Sequence, residues 1–175
     1  MPRSVCSVSG NAVTVIGIDP GSRVLGWGVV REASGVLHLV DCGVVRPDAR
    51  AETAFSARLA YIYRELAAVI GRLVPDEAAV EQVFTARNAA TALKLGQARG
   101  AAVAACAAHG LDVSDYEPRL VKKSLVGAGG ADKEQVSFMV GRLLNTRPDW
   151  ALDTSDALAV AICHLTMRRF ARLAR

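Results

Sequence analysis

The feature that most constrains the fold is an apolar run near the start of the chain, AVTVIGID, which ends in a carboxylate at Asp19. The run has the length of a strand and is rich in β-branched residues, so it predicts a β-strand over residues 12–19. A strand this apolar is usually central in its sheet and covered on both faces. We therefore expect Asp19 at the carboxyl end of a central strand.

The next segments predict an antiparallel meander of strands. The hydrophobic period of the sequence then changes to that of a helix. GWGVVRE and VLHLVDCGVVR predict two further strands, joined by a hairpin at Ser34 and Gly35. From Phe55 to Leu73, apolar residues recur at three- and four-residue steps. This spacing predicts an amphipathic helix, which Pro75 ends.

The second half of the chain predicts two more strands and four helices. AAVEQVF reads as a short buried strand, Asn88 can cap a helix that Gly110 closes, and DVSDYE gives a fifth strand. PRLVKKSLV predicts a short helix, Asp132 can cap KEQVSFMVGRLLN, and a last helix runs from about Thr154 towards Arg172. The order βββαβαβααα predicts an α/β domain with a five-stranded sheet of mixed direction. We expect one domain over residues 12–172, and a disordered extension in the polar residues 1–11.

The composition excludes some classes of protein. Hydrophobic residues make up 51% of the chain, which is enough for a substantial core. No apolar run reaches 18 residues and the N-terminus has no apolar signal core, so we expect neither a membrane span nor secretion. The four cysteines form no CxxC pair and are expected to be small hydrophobes in a reducing cytoplasm.

The charge pattern favours a nucleic-acid partner only modestly. The net charge is +4, and all four lysines fall in one central stretch, from Lys94 to Lys133. The chain after His164 carries four arginines and no acid. Such an end could touch a phosphate backbone, but we expect it to suit the negative end of a helix dipole.

Two acids in the predicted strands are candidate functional residues. Asp19 follows a central strand, where α/β proteins usually place ligands, although Asp-Pro-Gly is also an ordinary turn sequence. Glu81 lies inside an apolar strand, and ionised glutamates are rarely buried alone. Either a salt bridge or a metal ion must offset the cost of burying Glu81.

A second pair of acids heads the last helix. Asp153 and Asp156 are three residues apart and share a face, so they could serve only as a helix cap and a dipole partner. The helix that follows is apolar nearly all round, which brings both acids close to the core. Together with Asp19 and Glu81 they form a set of oxygen ligands without a His or Cys cluster, which suits Mg²⁺ or Mn²⁺. Two such ions are typical of phosphoryl-transfer sites.

The helix predicted after Asn88 is rich in small residues, which let another helix approach closely. They are Ala98, Gly100, Ala101, Ala104, Ala105 and Ala108. Such a face packs inside most proteins, and the alternative here is a homodimer contact.

Four motifs, in register from about Val13 to His164, resemble the RuvC Holliday-junction endonucleases, which have a ribonuclease H-like fold. They are VIGIDPGSRVLGWGVV, VEQVFTARNAATALKLGQARG, VKKSLVGAGGADKEQV and LDTSDALAVA. The resemblance implies a homodimer that binds four-way DNA junctions and nicks two strands of like polarity. It also implies a branch-migration partner complex, RuvA and RuvB.

The resemblance assigns roles to eight positions. Those matching Asp19, Glu81, Asp153 and Asp156 hold the metal ions, Mg²⁺ or its substitute Mn²⁺. Some relatives have His where this chain has Asp153. By the same resemblance, four further residues are expected to contact DNA. They are Lys122 and Lys133 at phosphates near the cut, Phe84 on an unpaired base and Arg87 at a phosphate. Core packing is the alternative for Phe84.

Three other functions fit part of the pattern. A ribonuclease H-like nuclease acting on structured RNA has a similar opening motif, but the lysine-bearing loop favours the junction enzyme. An actin-like sugar kinase shares G-I-D-x-G but needs a second domain, for which 175 residues leave no room. A junction-binding module without catalysis would bind equally well after its acids are neutralised.

Overall fold

The computed structural model describes residues 12–47, 54–82 and 88–173. They form five strands and five helices in the predicted order. The strands are β1 (Val13–Asp19), β2 (Leu25–Ala33), β3 (Val36–Val45), β4 (Glu77–Glu81) and β5 (Asp112–Tyr116). The helices are α1 (Phe55–Leu73), α2 (Ala89–Ala108), α3 (Pro118–Val126), α4 (Lys133–Leu143) and α5 (Leu152–Leu173).

The strands form one sheet in the order β3-β2-β1-β4-β5, with β1 at the centre. The pairs β1–β2 and β2–β3 are antiparallel, whereas β1–β4 and β4–β5 are parallel. This arrangement confirms the predicted mixed sheet and the central place of the apolar first strand. Because β1 and β4 are parallel, their carboxyl ends meet at the same edge of the sheet.

Helices cover both faces of the sheet. On one face, α3, α4 and α5 enclose a core with Val15, Val30 and Ala79. On the other face, α1 and α2 pack over Ile16 and Ile18. Helix α5 is buried along most of its apolar length, as its sequence predicts.

Local sequence signals fix several helix ends. The Oδ1 atom of Asn88 accepts a hydrogen bond from the Thr91 amide at the start of α2. Asp132 and Gln135 form a reciprocal capping box at the start of α4. Both predicted caps are therefore confirmed.

Two predicted boundaries were wrong. Strand β4 ends at Glu81 rather than at Phe84, and the next amide, that of Gln82, donates to the carbonyl of Tyr116. Helix α5 begins at Leu152, so Asp153 lies in its first turn instead of capping it. The Thr154 hydroxyl donates to the carbonyl of Gly43, so it does not cap the helix either.

The small residues of α2 divide between the interior and the surface. Ala98 and Ala105 are buried against the α1 side of the core. Gly100, Ala104 and Ala108 are exposed. The predicted internal packing therefore holds for one side of α2, while another side remains available.

Two predictions from composition can be checked in the described part of the chain. Cys106 and Cys163 are buried and Cys42 is half-buried, and all three are free thiols. None of the described helices combines the length and the apolar character needed to cross a membrane.

Candidate active site

The alternation of β1 and β4 directs Asp19 and Glu81 to the same face of the sheet. In β1, Ile18 packs on the α1–α2 side, so its neighbour Asp19 faces α5. In β4, Val80 packs on the α1–α2 side, so Glu81 also faces α5. Because Ile18 pairs with Val80, the two acids end adjacent parallel strands side by side.

Helix α5 approaches this face so closely that only glycine fits beneath it. Three glycines of β1 and β2 face the helix: Gly17, Gly26 and Gly28. A Cβ at Gly17 would lie 2.1 Å from the backbone oxygen of Ala157. One at Gly26 would lie 2.0 Å from the backbone oxygen of Asp153. The acid-bearing end of α5 therefore rests directly on the backbone of the sheet.

The four predicted acids lie near one another, and their charges shift the pKa values of Asp19 and Glu81. Burial raises the pKa of Asp19 to about 8, and the negative charges of Glu81, Asp156 and Asp153 add to this effect. Burial also raises the pKa of Glu81, as does the charge of Asp156, and a hydrogen bond with Asp19 opposes them. We call Asp19, Glu81, Asp153 and Asp156 the acid cluster.

Both predicted DNA-contacting lysines lie beside the acid cluster. The Nζ atom of Lys133 donates to Oδ2 of Asp156 over 2.7 Å, and this bond raises the pKa of Lys133. The Nζ atom of Lys122 donates to the carbonyl of Ala131 over 2.7 Å. The charges of both lysines lower the pKa of Glu81, which places them within electrostatic reach of it. The other two predicted contacts, Phe84 and Arg87, lie outside the described residues.

The arrangement was tested for a fit to a metal ion. Within the described ranges, no three His, Cys, Asp or Glu side chains converge tightly enough to hold one in this conformation. Asp156 is instead bound to Lys133. The donor chemistry does fit, because the carboxylate charges around Asp19 raise its pKa and so favour a cation among them.

A chain of hydrogen bonds ties the start of α5 to its neighbours. Trp150 Nε1 donates to the hydroxyl of Ser155 over 2.6 Å, and that hydroxyl donates to Ser137 of α4 over 2.9 Å. Ser155 lies between Asp153 and Asp156, so these bonds fix the helix turn that carries both acids. Sequence analysis missed these bonds because the sequence does not show which side chains packing brings together.

Sequence analysis also missed the glycines beneath α5. Glycine inside a strand often marks a close approach of another backbone. The sequences VIGID and LGWGVV carry that signal. This signal does not show which element approaches the glycines, because α5 lies far from β1 and β2 along the chain.

Comparison with known proteins gives one consistent result. A family model described as crossover junction endodeoxyribonuclease RuvC matches residues 15–164. The protein of that name from Nitratidesulfovibrio vulgaris (strain Hildenborough) is 65% identical over 163 residues, which is 93% of this chain and 96% of the relative. The one from Oleidesulfovibrio alaskensis is 67% identical over 162 residues, with coverage of 93% and 96%.

A solved structure agrees with these sequence matches. It is described as Thermus thermophilus RuvC in complex with a Holliday junction substrate. The match has a TM-score of 0.83 at 34% identity, covering 91% of this chain and 96% of that one. The agreement confirms the fold that the sequence motifs implied.

Proposed function

Since this chain belongs to the RuvC family of crossover junction endodeoxyribonucleases, we propose that it resolves four-way DNA junctions in recombination and repair. The reaction is hydrolysis of one phosphodiester bond in each of two strands of like polarity. Water attacks the phosphorus in line as the bond to the 3′ oxygen breaks. The products are a 5′-phosphate and a 3′-hydroxyl, which a ligase can rejoin.

The observation that carries this proposal is the state of Asp19. It ends the central strand, is surrounded by three other carboxylates, and has a pKa raised to about 8. A protein gains nothing in stability from such an arrangement, because a desolvated carboxylate among like charges is unfavourable. The arrangement becomes favourable when divalent cations are bound.

The residues that would hold those cations are the four members of the acid cluster. Their oxygen atoms suit Mg²⁺, with Mn²⁺ as a substitute, and four carboxylates are enough for two ions. When bound, the ions supply positive charge that activates water and stabilises the leaving oxygen. Asp19, whose pKa is raised by the charges of the other three acids, would hold the ions together with Glu81, Asp153 and Asp156.

Lys133 has two roles in this proposal. In this structure its ammonium group pairs with the carboxylate of Asp156, in the position that a metal cation would take. Once released, its ammonium group is free to bind a phosphate of the DNA next to the acid cluster. Lys122 supplies a second positive charge on the same side. Phe84 and Arg87 are proposed, from the family resemblance alone, to contact the junction.

We further propose that the protein acts in the cytoplasm as a homodimer, so that two sites can cut two strands. The exposed small residues of α2, Gly100, Ala104 and Ala108, and the exposed Leu93 offer a surface for a second copy. The family resemblance adds RuvA and RuvB as branch-migration partners. Analytical ultracentrifugation of the wild type and of Leu93→Glu tests the dimer. A Leu93→Glu variant that stays dimeric would show that the dimer does not form through this surface.

The decisive experiment is cleavage of a mobile four-way DNA junction with Mg²⁺, with the polarity of the cut strands mapped. We expect paired cuts by the wild type and a loss of at least about 10²-fold for Asp19→Asn. Structured RNA assayed in parallel tests the rival substrate. Junction cleavage by a folded Asp19→Asn at the wild-type rate would overturn the assignment.

Metal binding can be measured without cleavage. At 100 times its dissociation constant, Mg²⁺ should raise the free energy of unfolding of the wild type by about 2.7 kcal/mol. Asp19→Asn should lose most of that increase. An equal increase in both proteins would place the metal elsewhere.

A further inference from the structure

A cavity of about 490 Å³ adjoins the acid cluster and is not used by the mechanism above. Its walls come from the turn between β1 and β2 and from the first turns of α1 and α2, with Asp153 on one side. Helices α1 and α2 cover the opposite face of the sheet from α3 and α4. The cavity and the pair Lys122 and Lys133 therefore flank the acid cluster from opposite faces.

Three cations line this cavity: Arg23, Arg58 and Lys94. In the part of the chain that the structure describes, none of the three takes part in an ion pair. The Nε atom of Arg58 is buried and, among the described residues, has no hydrogen-bond partner. Leaving a buried N–H group unpaired costs free energy, so an acceptor bound next to this atom would be stabilising.

Neutral donors complete the lining. Ser22 and Thr91 each contribute a hydroxyl-bearing side chain to the cavity. The backbone amide of Thr91 is already bonded to Asn88, so an anion here would be held mainly by side chains rather than by that amide. Guanidinium, ammonium and hydroxyl groups together form a donor set suited to a phosphate oxygen.

We propose that this cavity binds a backbone phosphate of the strand being cut, one neighbouring the scissile phosphate. The inference rests on the proposed function, since it is that function which brings a DNA strand to the acid cluster. A strand crossing the sheet edge meets Lys122 and Lys133 on one side of the acids and this cavity on the other. The cavity thus holds the strand at a second point and fixes its direction across the acid cluster.

The test compares single neutralisations inside and outside the cavity. Junction binding is measured in EDTA, which prevents cleavage, over a range of salt concentrations. Lys94→Gln and Arg58→Gln should each raise Kd about 3- to 10-fold and lower the salt slope by about 0.7–0.9. Arg64→Gln is the matched control, because Arg64 is an exposed arginine of α1 outside the cavity. It should change neither quantity.

A junction carrying single methylphosphonates around the cut site identifies the phosphate. At one position, the uncharged linkage should weaken wild-type binding while removing the difference between the wild type and Lys94→Gln. Lys94 is exposed, so this variant is expected to fold even if Arg58→Gln does not.

The outcomes separate the two proposals. Wild-type cleavage of the junction, with Lys94→Gln and a folded Arg58→Gln binding like Arg64→Gln, would overturn the cavity assignment and leave the proposed function intact. A wild type that cuts no junction in Mg²⁺ would overturn the proposed function itself. Persistence of the Lys94→Gln effect at every methylphosphonate position would also exclude a direct phosphate contact.

Discussion

Strand β4 carries two glutamates on one face, and their surroundings are opposite. At its start, Glu77 receives hydrogen bonds from Nε2 of His164 over 2.6 Å and from Nε of Arg168 over 2.8 Å. At its end, Glu81 faces Asp19 and Asp156. Glu77 is paired with a histidine and an arginine, whereas Glu81 faces two other acids, and its pKa is raised despite the nearby charges of Lys122 and Lys133.

The pKa values of the two glutamates are shifted in opposite directions. Burial raises the pKa of Glu77, but the hydrogen bonds from His164 and Arg168 lower it by more, so it lies below its ordinary value of 4.5. Burial and the negative charge of Asp156 raise the pKa of Glu81. The comparison teaches that a buried acid becomes a candidate site residue when the fold withholds its partners, not merely because it is buried.

The pairing of Glu77 belongs to a larger interior network. The ionised Glu77 can only accept hydrogen bonds, so Nε2 of His164 carries a proton and donates it. In the tautomer with its proton on Nε2, the Nδ1 atom of the ring accepts from the hydroxyl of Tyr116, 2.9 Å away. The network joins α5 to β4 and β5.

The largest expected effect comes from Glu81→Gln. Junction cleavage in Mg²⁺ should fall by at least about 10²-fold, because a ligand of the proposed ions is lost. Stability in EDTA should stay equal or rise, since a charge among like charges is removed. Urea unfolding and a cleavage assay on the same sample check both parts. A clear loss of stability would mean that Glu81 is structurally paired like Glu77.

Glu77→Gln should show the opposite pattern. Replacing the carboxylate weakens two charge-assisted hydrogen bonds, and we expect a loss of about 1–3 kcal/mol in the free energy of unfolding at pH 7. Cleavage per folded molecule, measured well below the melting temperature, should be unchanged. A variant as stable as the wild type but slow in cleavage would contradict the structural role.

The effect of Glu77→Gln should depend on pH. In the unfolded chain Glu77 ionises near 4.5, and in the folded protein it stays ionised to lower pH. Its contribution to stability is therefore fully present above about pH 4.5 and is lost as pH falls through the lower, folded value. Urea midpoints of wild type and variant should converge on acidification below pH 4.5. A constant difference across that range would exclude ionisation of Glu77 as the cause.

The smallest expected effect belongs to Tyr116→Phe. The variant removes one hydroxyl bonded to His164, for which we expect a loss of about 0.5–1.5 kcal/mol by urea unfolding. Cleavage should not change, because the Tyr116 carbonyl that receives the Gln82 amide remains. Reduced cleavage at full stability would show that the network also adjusts Glu81.

Sequence alone predicted the elements well and the pairing of their charges poorly. Apolar periodicity gave the ten elements in order, and Asp19 was placed correctly at the end of a central strand. The sequence could not reveal that His164 and Arg168 pair with Glu77, because side chains so distant along the chain meet only through packing. The arginines near the C-terminus were assigned to the helix dipole, yet Arg168 is bound to Glu77.

The contact of α5 with the glycines of β1 has a consequence for synthesis. Of the described elements, β1 leaves the ribosome first and α5 last, so Asp153 and Asp156 are synthesised long after Asp19. A chain that lacks α5 lacks two of the four acids of the acid cluster, Asp153 and Asp156. Because these contacts join the two ends of the chain, they carry a high entropic cost of closure and belong late in folding.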